Sequence, residues 1–142
     1  MEIRKIKKSD LSNGFLETLG SLRDVKISLD QAKKILKRRE DLEIETYVAI
    51  IDKAVVGTVS LIFEPKFLYK GVIAAHLEDL SVHANHQSLG IGGALIQHCI
   101  NEAINRKCYK IILNCTKEMK KYYKKHGFKK TNLQLRYDLP LF

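Results

Sequence analysis

The stretch that most constrains the fold runs from residue 72 to residue 105 and reads as a strand, a glycine-bearing turn and an amphipathic helix. From Gly92 onward, Leu95, Ile96, Cys99, Ile100, Ala103 and Ile104 recur at helical spacing, with Gln97, His98, Asn101, Glu102, Asn105 and Arg106 opposite them. Between strand and helix stands Gln87-Ser88-Leu89-Gly90-Ile91-Gly92, followed by Gly93. The first turn of a helix leaves backbone N–H groups without partners and carries the positive end of the macrodipole. Gly90 and Gly92 omit the side chains that would keep an anion away from that backbone, and Gly93 extends the bare surface. A plain tight turn would use the same glycines. The spacing is neither the Gly-x-Gly-x-x-Gly of a dinucleotide fold nor the Gly-Lys-Ser/Thr of a P-loop. On its own, then, the turn supports phosphate binding and nothing more specific.

The strand before the turn, residues 72–82, has a second feature. Ala75 and Leu77 occupy odd positions, whereas Leu80 and Val82 occupy even ones. A strand has period two, so its apolar parity should not switch. A β-bulge near Glu78-Asp79 explains the switch, and bulges often lie beside active sites; a misplaced strand register is the competing explanation. Upstream, residues 3–6 read as a short strand. Ser9 or Asp10 caps a helix carrying Leu11, Phe15, Leu19 and Leu22, and Ser28 or Asp30 opens a second helix through Ala32, Ile35 and Leu36. Residues 46–51 and 55–63 read as strands joined by a hairpin at Asp52-Lys53. Downstream come a strand at 110–115, a lysine-rich helix at 117–125 stopped by Gly127, and a last strand carrying Leu133, Leu135 and Tyr137. The order β-α-α-β-β-β-α-β-α-β predicts an α/β fold, a mixed sheet with helices on both faces.

With 142 residues, 45% of them hydrophobic and 29% charged, the chain fits a single domain, residues 1–142, with one substantial core. No run is apolar enough to span a membrane and no apolar leader opens the chain, so the expected location is cytoplasmic. Cys99, Cys108 and Cys115 are read as buried small hydrophobes rather than disulfide partners. No metal-ligand spacing is present. The net charge of +9, concentrated at residues 33–39 and 117–130, suits polyanionic partners such as nucleic acid, anionic lipid, phosphorylated sugars or CoA without choosing among them.

Gln87-x-x-Gly90-x-Gly92, set between strand and helix, resembles the Arg/Gln-x-x-Gly-x-Gly/Ala motif of the GNAT superfamily of N-acetyltransferases. The resemblance narrows to the glucosamine 6-phosphate N-acetyltransferases and covers nearly the whole chain. It is carried by Asp10-Leu11 with Gly14-Phe15, by Lys66-Phe67, by the run from His76-Leu77-Glu78-Asp79 to Val82, by Cys108-Tyr109-Lys110-Ile111, by Tyr123-Lys124-Lys125-His126-Gly127-Phe128, and by Leu133-Gln134-Leu135-Arg136.

That resemblance implies the GNAT fold, acetyl-CoA as co-substrate, and direct attack of a sugar amine on the thioester in a ternary complex, a step toward UDP-N-acetylglucosamine. It implies that backbone groups of Leu80, Ser81 and Val82 pair with the pantetheine arm, and that Gln87 and the turn Ser88, Leu89, Gly90, Ile91, Gly92 and Gly93 wrap the pyrophosphate. It assigns Glu78 and the Asp79 carbonyl to the amine, the Leu80 N–H to the carbonyl oxygen, and Tyr123, on the cofactor, to the leaving thiolate. Arg136, expected from the partner subunit of a homodimer, reaches the sugar. Lys66, Phe67, Leu68 and Tyr69 form a loop over it, and Tyr109 and Lys110 are a further pair. Arg23 stands where relatives have a phosphate-contacting threonine. Asn114, at a cofactor-side position, replaces an acidic residue, and Met119 replaces an asparagine.

Two other readings compete. A different amine acceptor is possible on such a fold; a polyamine site should be acidic, whereas this chain is basic, and a peptide acceptor stays open. Lys120-Lys121-Tyr122-Tyr123-Lys124-Lys125 interleaves bases and aromatics as nucleic-acid binders do, but these residues spread around a helix rather than along one stripe. No nucleic-acid or membrane partner is expected.

Overall fold

A two-residue turn sets the centre of the sheet. Asp52 and Lys53 have φ of 48° and 66°, the paired left-handed geometry that matches the twist of a hairpin, and they join β2 (Ile44–Ile51) to β3 (Ala54–Pro65). The computed structural model describes residues 1–141. β1 (Glu2–Lys5) pairs antiparallel with β2, β3 pairs antiparallel with β4 (Ile73–Val82), and β5 (Cys108–Ile112) runs parallel to β4, giving the order β1-β2-β3-β4-β5. The parallel step requires a crossover, and α3 (Ile91–Asn105) supplies it. Its Leu95, Ile96, Cys99 and Ala103 pack on Tyr47, Ala49, Val59, Leu61, Ala75 and Leu77 to form the main core. Ile104, expected on that face, is exposed.

The opposite face carries a smaller cluster of Leu11, Ala32 and Leu36 beneath α1 (Phe15–Gly20) and α2 (Leu29–Asp41). The second expected helix starts as read: Ser28 Oγ accepts from the Gln31 N–H at 3.1 Å, while Gln31 Oε1 accepts from the Ser28 N–H at 2.8 Å. The first does not. A 3-10 turn (Lys8–Ser12) precedes α1, and Gly14, with φ of 96°, breaks the helix between them. A Cβ at Gly14 would stand 2.5 Å from the Val55 carbonyl oxygen, and the Val55 N–H bonds the Asn13 carbonyl at 3.0 Å. The break lets the backbone lie against β3. Asp10 is therefore not the cap of a long helix: it is buried, accepts from the Lys7 N–H at 2.6 Å and takes Arg4 Nη1 and Nη2 at 2.7 and 2.9 Å. Burial pushes its carboxyl up, but the bonds from Arg4 and Lys7 outweigh burial and leave it below the usual range.

The expected last strand is absent among the described residues. From Phe128 on, the chain has no assigned strand, and Leu133, Leu135 and Tyr137 are 80, 92 and 86% exposed. Their alternation marks one face of a strand, but a strand also needs an edge to pair with. The outer edge of β5 is free in this chain and the tail does not return to it. The cysteines divide: Cys99 is buried, with its thiol pushed up to about 12 by burial, Cys108 is half-buried, and Cys115 is exposed rather than buried.

Candidate active site

The sheet opens past His76. β5 accompanies β4 only from Ile73 to His76, whose partner is Ile112. From Leu77 to Val82 that edge of β4 has no β5 partner, so a row of backbone donors and acceptors faces the gap. A ligand with amides of its own can fill such an edge as an added strand would.

The bulge lies within this free segment. Ser60 pairs with Glu78 but Thr58 pairs with Ser81, so β4 carries one more residue than β3 between those pairs, and Asp79 takes a φ of 52°. Leu80 and Val82 join the same core as Ala75 and Leu77, so the parity switch in the sequence is this bulge and not a register error. The extra residue turns Ser81 to the other face, where its buried hydroxyl donates to the Thr18 carbonyl at 2.6 Å. Under the bulge, Arg39 of α2 reaches across to donate through Nη2 to Ser60 Oγ at 2.5 Å and to Thr46 Oγ1 at 3.3 Å. Burial pushes that guanidinium below its ordinary value, and the charge of Asp79, across a cavity of about 100 Å³, partly offsets the effect.

The turn after β4 delivers the N-terminus of α3 to the same gap. Gln87 Nε2 donates to the Val82 carbonyl at 3.2 Å and ties the turn to the strand. Ser88 has φ of 64° and Gly90 of 80°, while Leu89 stands exposed. Gly90 occupies the cap position without a side chain to cap, and the first helical bond runs from the Ala94 N–H to its carbonyl at 3.1 Å. The glycines have separate reasons. A Cβ at Gly90 would meet nothing within 4 Å, so its requirement is conformational and its surface is open. A Cβ at Gly92 would overlap the Tyr122 hydroxyl, and one at Gly93 would lie 2.8 Å from His126 Cε1. These two admit α4 (Lys120–Lys125), in addition to leaving helix backbone bare.

Tyr122 and Tyr123 are half-buried against the main core, so the aromatics of the lysine-rich segment do not stand free on its surface. Tyr123 meets Tyr122 at 5.3 Å and Phe128 at 6.0 Å between ring centroids, each edge-on. Desolvation, with smaller contributions from Tyr122 and Cys115, pushes its phenol up to about 12. It therefore holds its proton throughout the neutral range. Asn114 is exposed just beyond β5, beside Cys115.

Among the residues expected to meet the acceptor, Lys66 Nζ donates to Glu64 Oε2 at 2.8 Å. Phe67, Leu68 and Tyr69 project from the loop that follows β3, and Tyr69 contacts Tyr109 of β5 at 5.5 Å between centroids. The Lys110 ammonium lies 5.1 Å from the Tyr109 ring. The fold thus joins residues 66–69 and the pair Tyr109-Lys110 within one chain. It does not bring in Arg23, which donates to the neighbouring Leu22 carbonyl, nor Arg136, which pairs with Asp138 on the exposed tail.

A model of the acetyltransferase (GNAT) family matches residues 12–128. Over 142 residues the chain is 32% identical to a glucosamine 6-phosphate N-acetyltransferase of Trypanosoma brucei brucei, across 98% of this chain and 96% of that one. The chain belongs to the GNAT acetyltransferase family, among the glucosamine 6-phosphate N-acetyltransferases. Its structure agrees. It superposes on the crystal structure of a Trypanosoma brucei acetyltransferase with a TM-score of 0.91 at 33% identity, over 97% of this chain and 99% of that one. On a glucosamine-6-phosphate N-acetyltransferase from Arabidopsis thaliana the score is 0.85 at 28% identity, over 96% and 97%.

Within this GNAT site, sequence reasoning missed the Gln87 tie to Val82, the fit of Tyr122 over Gly92, and Arg39 beneath the bulge. Each joins residues from different elements, and no local spacing announces such a pairing. The glycine doublet Gly92-Gly93 was the one available signal of a helix crossing there.

Proposed function

We propose that the chain transfers the acetyl group of acetyl-CoA to the amine of glucosamine 6-phosphate, giving N-acetylglucosamine 6-phosphate and CoA on the route to UDP-N-acetylglucosamine. The observation that carries the reading is the unpaired edge of β4 from Leu77 to Val82, ending at the uncapped N-terminus of α3. A pantetheine arm has amides for the first and a pyrophosphate for the second. Acetyl-CoA supplies an acetyl group activated as a thioester. Leu80, Ser81 and Val82 hold the arm through their backbone, and residues 87–93 hold the pyrophosphate. Glu78 and the Asp79 carbonyl orient the acceptor amine, while the Leu80 N–H is assigned to the carbonyl oxygen, which gains negative charge in the transition state. Tyr123 donates to the departing thiolate. The transfer is direct, in a ternary complex, and the whole chain acts as one catalytic domain.

The acceptor follows from the relatives and from the basic side chains around the opening. Lys66, Phe67, Leu68, Tyr69, Tyr109 and Lys110 cover the sugar. Acetyl-CoA consumption should be faster with glucosamine 6-phosphate than with glucosamine by about 10- to 100-fold, the worth of one or two charge-assisted hydrogen bonds to the phosphate. Equal rates would remove the phosphate from the acceptor.

The free edge of β5 and the unpaired alternation of Leu133, Leu135 and Tyr137 support a homodimer in which each tail adds to the other subunit and carries Arg136 to its site. Light scattering should give twice the 16.3 kDa chain mass. Deletion of residues 129–142 should yield monomers that bind acetyl-CoA but acetylate the sugar phosphate poorly. A full-length monomer with full activity would refute the shared site.

A further inference from the structure

Beside the loop of residues 66–69, Glu64 joins two side chains, Lys66 and His76, that the reading above does not use together. One carboxylate oxygen takes Lys66 at 2.8 Å; the other lies 2.9 Å from His76 Nε2. The bonds from Lys66 and then His76 outweigh burial and hold the Glu64 carboxyl below the usual range, so it is an anion at neutral pH. An anion at Nε2 favours the tautomer with its proton there and leaves Nδ1 as an acceptor. Strand register places the imidazole. Ile62 pairs with His76 and Ser60 with Glu78, so His76 and Glu78 stand on one face of β4, two residues apart, before the bulge begins. The His76 side chain is 29% exposed and therefore in touch with solvent.

The reaction needs such a group. An acceptor amine is protonated in much of the neutral range and must lose a proton before it can attack. A carboxylate orients an ammonium well but stores a proton poorly at neutral pH, where an imidazole titrates. We propose that His76 is the proton acceptor for the substrate amine, positioned by Glu64 and Lys66. The proposal rests on the amine-acetylation reading above. The ammonium N–H bond breaks, its electron pair stays on nitrogen, and the proton joins Nδ1 to give an imidazolium, which passes it to water at its exposed edge. Lys66 also belongs to the loop over the sugar, so Glu64 connects acceptor binding to the imidazole. The other charged or titratable groups about this face are Glu78 and Asp79 on β4, Lys110 opposite Ala74 on β5, Arg39 at Ser60, and Tyr109 near Lys66.

The test is kcat and KM with glucosamine 6-phosphate from about pH 5.5 to about pH 9, across the imidazole range. His76→Gln retains an amide for Glu64 but cannot carry the proton. It should lose roughly 100-fold in kcat, the lower end of what general bases contribute, with both KM values within about twofold of wild type. Its rate should also lose the imidazole's share of the fall toward acid. Free imidazole should restore turnover to His76→Ala in proportion to its unprotonated fraction. Glu64→Gln removes the acceptor that orients the imidazole through Nε2, so it should lower kcat by less than His76→Gln does. A His76→Gln enzyme with wild-type kcat at every pH, or a uniform loss that imidazole does not relieve, would overturn the proposal. If wild type fails on this sugar, the substrate reading falls instead, and imidazole rescue of His76→Ala is read with the amine that wild type does acetylate.

Discussion

Gly92→Glu should abolish acetyl-CoA binding, with affinity falling by more than about 100-fold, since like charges juxtaposed across an interface cost several kcal/mol. The carboxylate would stand on the first turn of α3, where the pyrophosphate is proposed to lie, and would oppose it by bulk and by charge. The structure adds a second effect that has to be separated. Any Cβ at Gly92 overlaps the Tyr122 hydroxyl, so even alanine displaces α4. Overpacking of that kind costs about 1–3 kcal/mol, offset in part by the better helix propensity of alanine. Removing the hydroxyl relieves it. Gly92→Ala combined with Tyr122→Phe should therefore recover most of the stability and acetyl-CoA affinity that Gly92→Ala loses, whereas Gly92→Glu combined with Tyr122→Phe should remain unable to bind. Calorimetric titration with acetyl-CoA and thermal melts of the four variants measure both effects. If the glutamate variant binds normally once the hydroxyl is gone, the pyrophosphate does not rest on α3.

The two halves of the site were unequally visible in the sequence because they are built differently. The half proposed to hold the cofactor is backbone: an unpaired strand edge, a bulge and a helix terminus. Backbone features leave local marks. Burial on one face forces parity, so the switch between Leu77 and Leu80 revealed the bulge. A helix terminus in need of a bare surface leaves glycines, and Ser28 with Gln31 spells out a cap. The half proposed to take the acceptor consists largely of side chains spread over the loop after β3, over β4 and β5 and over the tail, and what they touch depends on other elements. Leu133, Leu135 and Tyr137 alternate as a strand should, but alternation specifies a face and not the edge that will pair with it. Gly14 reads as one weak residue in a helix, yet its left-handed backbone is fixed by Val55, some forty residues on. In the sequence Gly92 and Gly93 look like room for a ligand, while their nearest neighbours in the fold are Tyr122 and His126. Cys115 follows an apolar run and so looks buried in the sequence, but it is exposed because β5 ends at Ile112 rather than running on.

Tyr123→Phe should lower kcat by about 100-fold, the low end for a positioned proton donor, and leave acetyl-CoA affinity within about twofold. The ring sits edge-on to Tyr122 and Phe128 against the core, and phenylalanine keeps those contacts, so the fold should tolerate the change. What is lost is the hydroxyl proton. The sign of the pH effect follows from its environment. Desolvation raises the phenol to about 12, and a donor works while protonated, so this group contributes fully through the neutral range and fails only near that value. Wild type should therefore show no alkaline fall in kcat from Tyr123 below about pH 11, one unit under the group's titration. The variant should be slow at every pH, with its remaining rate least depressed for acyl donors whose thiols leave easily. A low-pKa thiol needs little help to depart, so the ratio of wild-type to variant kcat should shrink as the leaving thiol becomes more acidic. A purely structural tyrosine would show no such trend, since packing does not distinguish leaving groups. A constant ratio across donors, or an unchanged kcat, would remove Tyr123 from the departure of the thiolate.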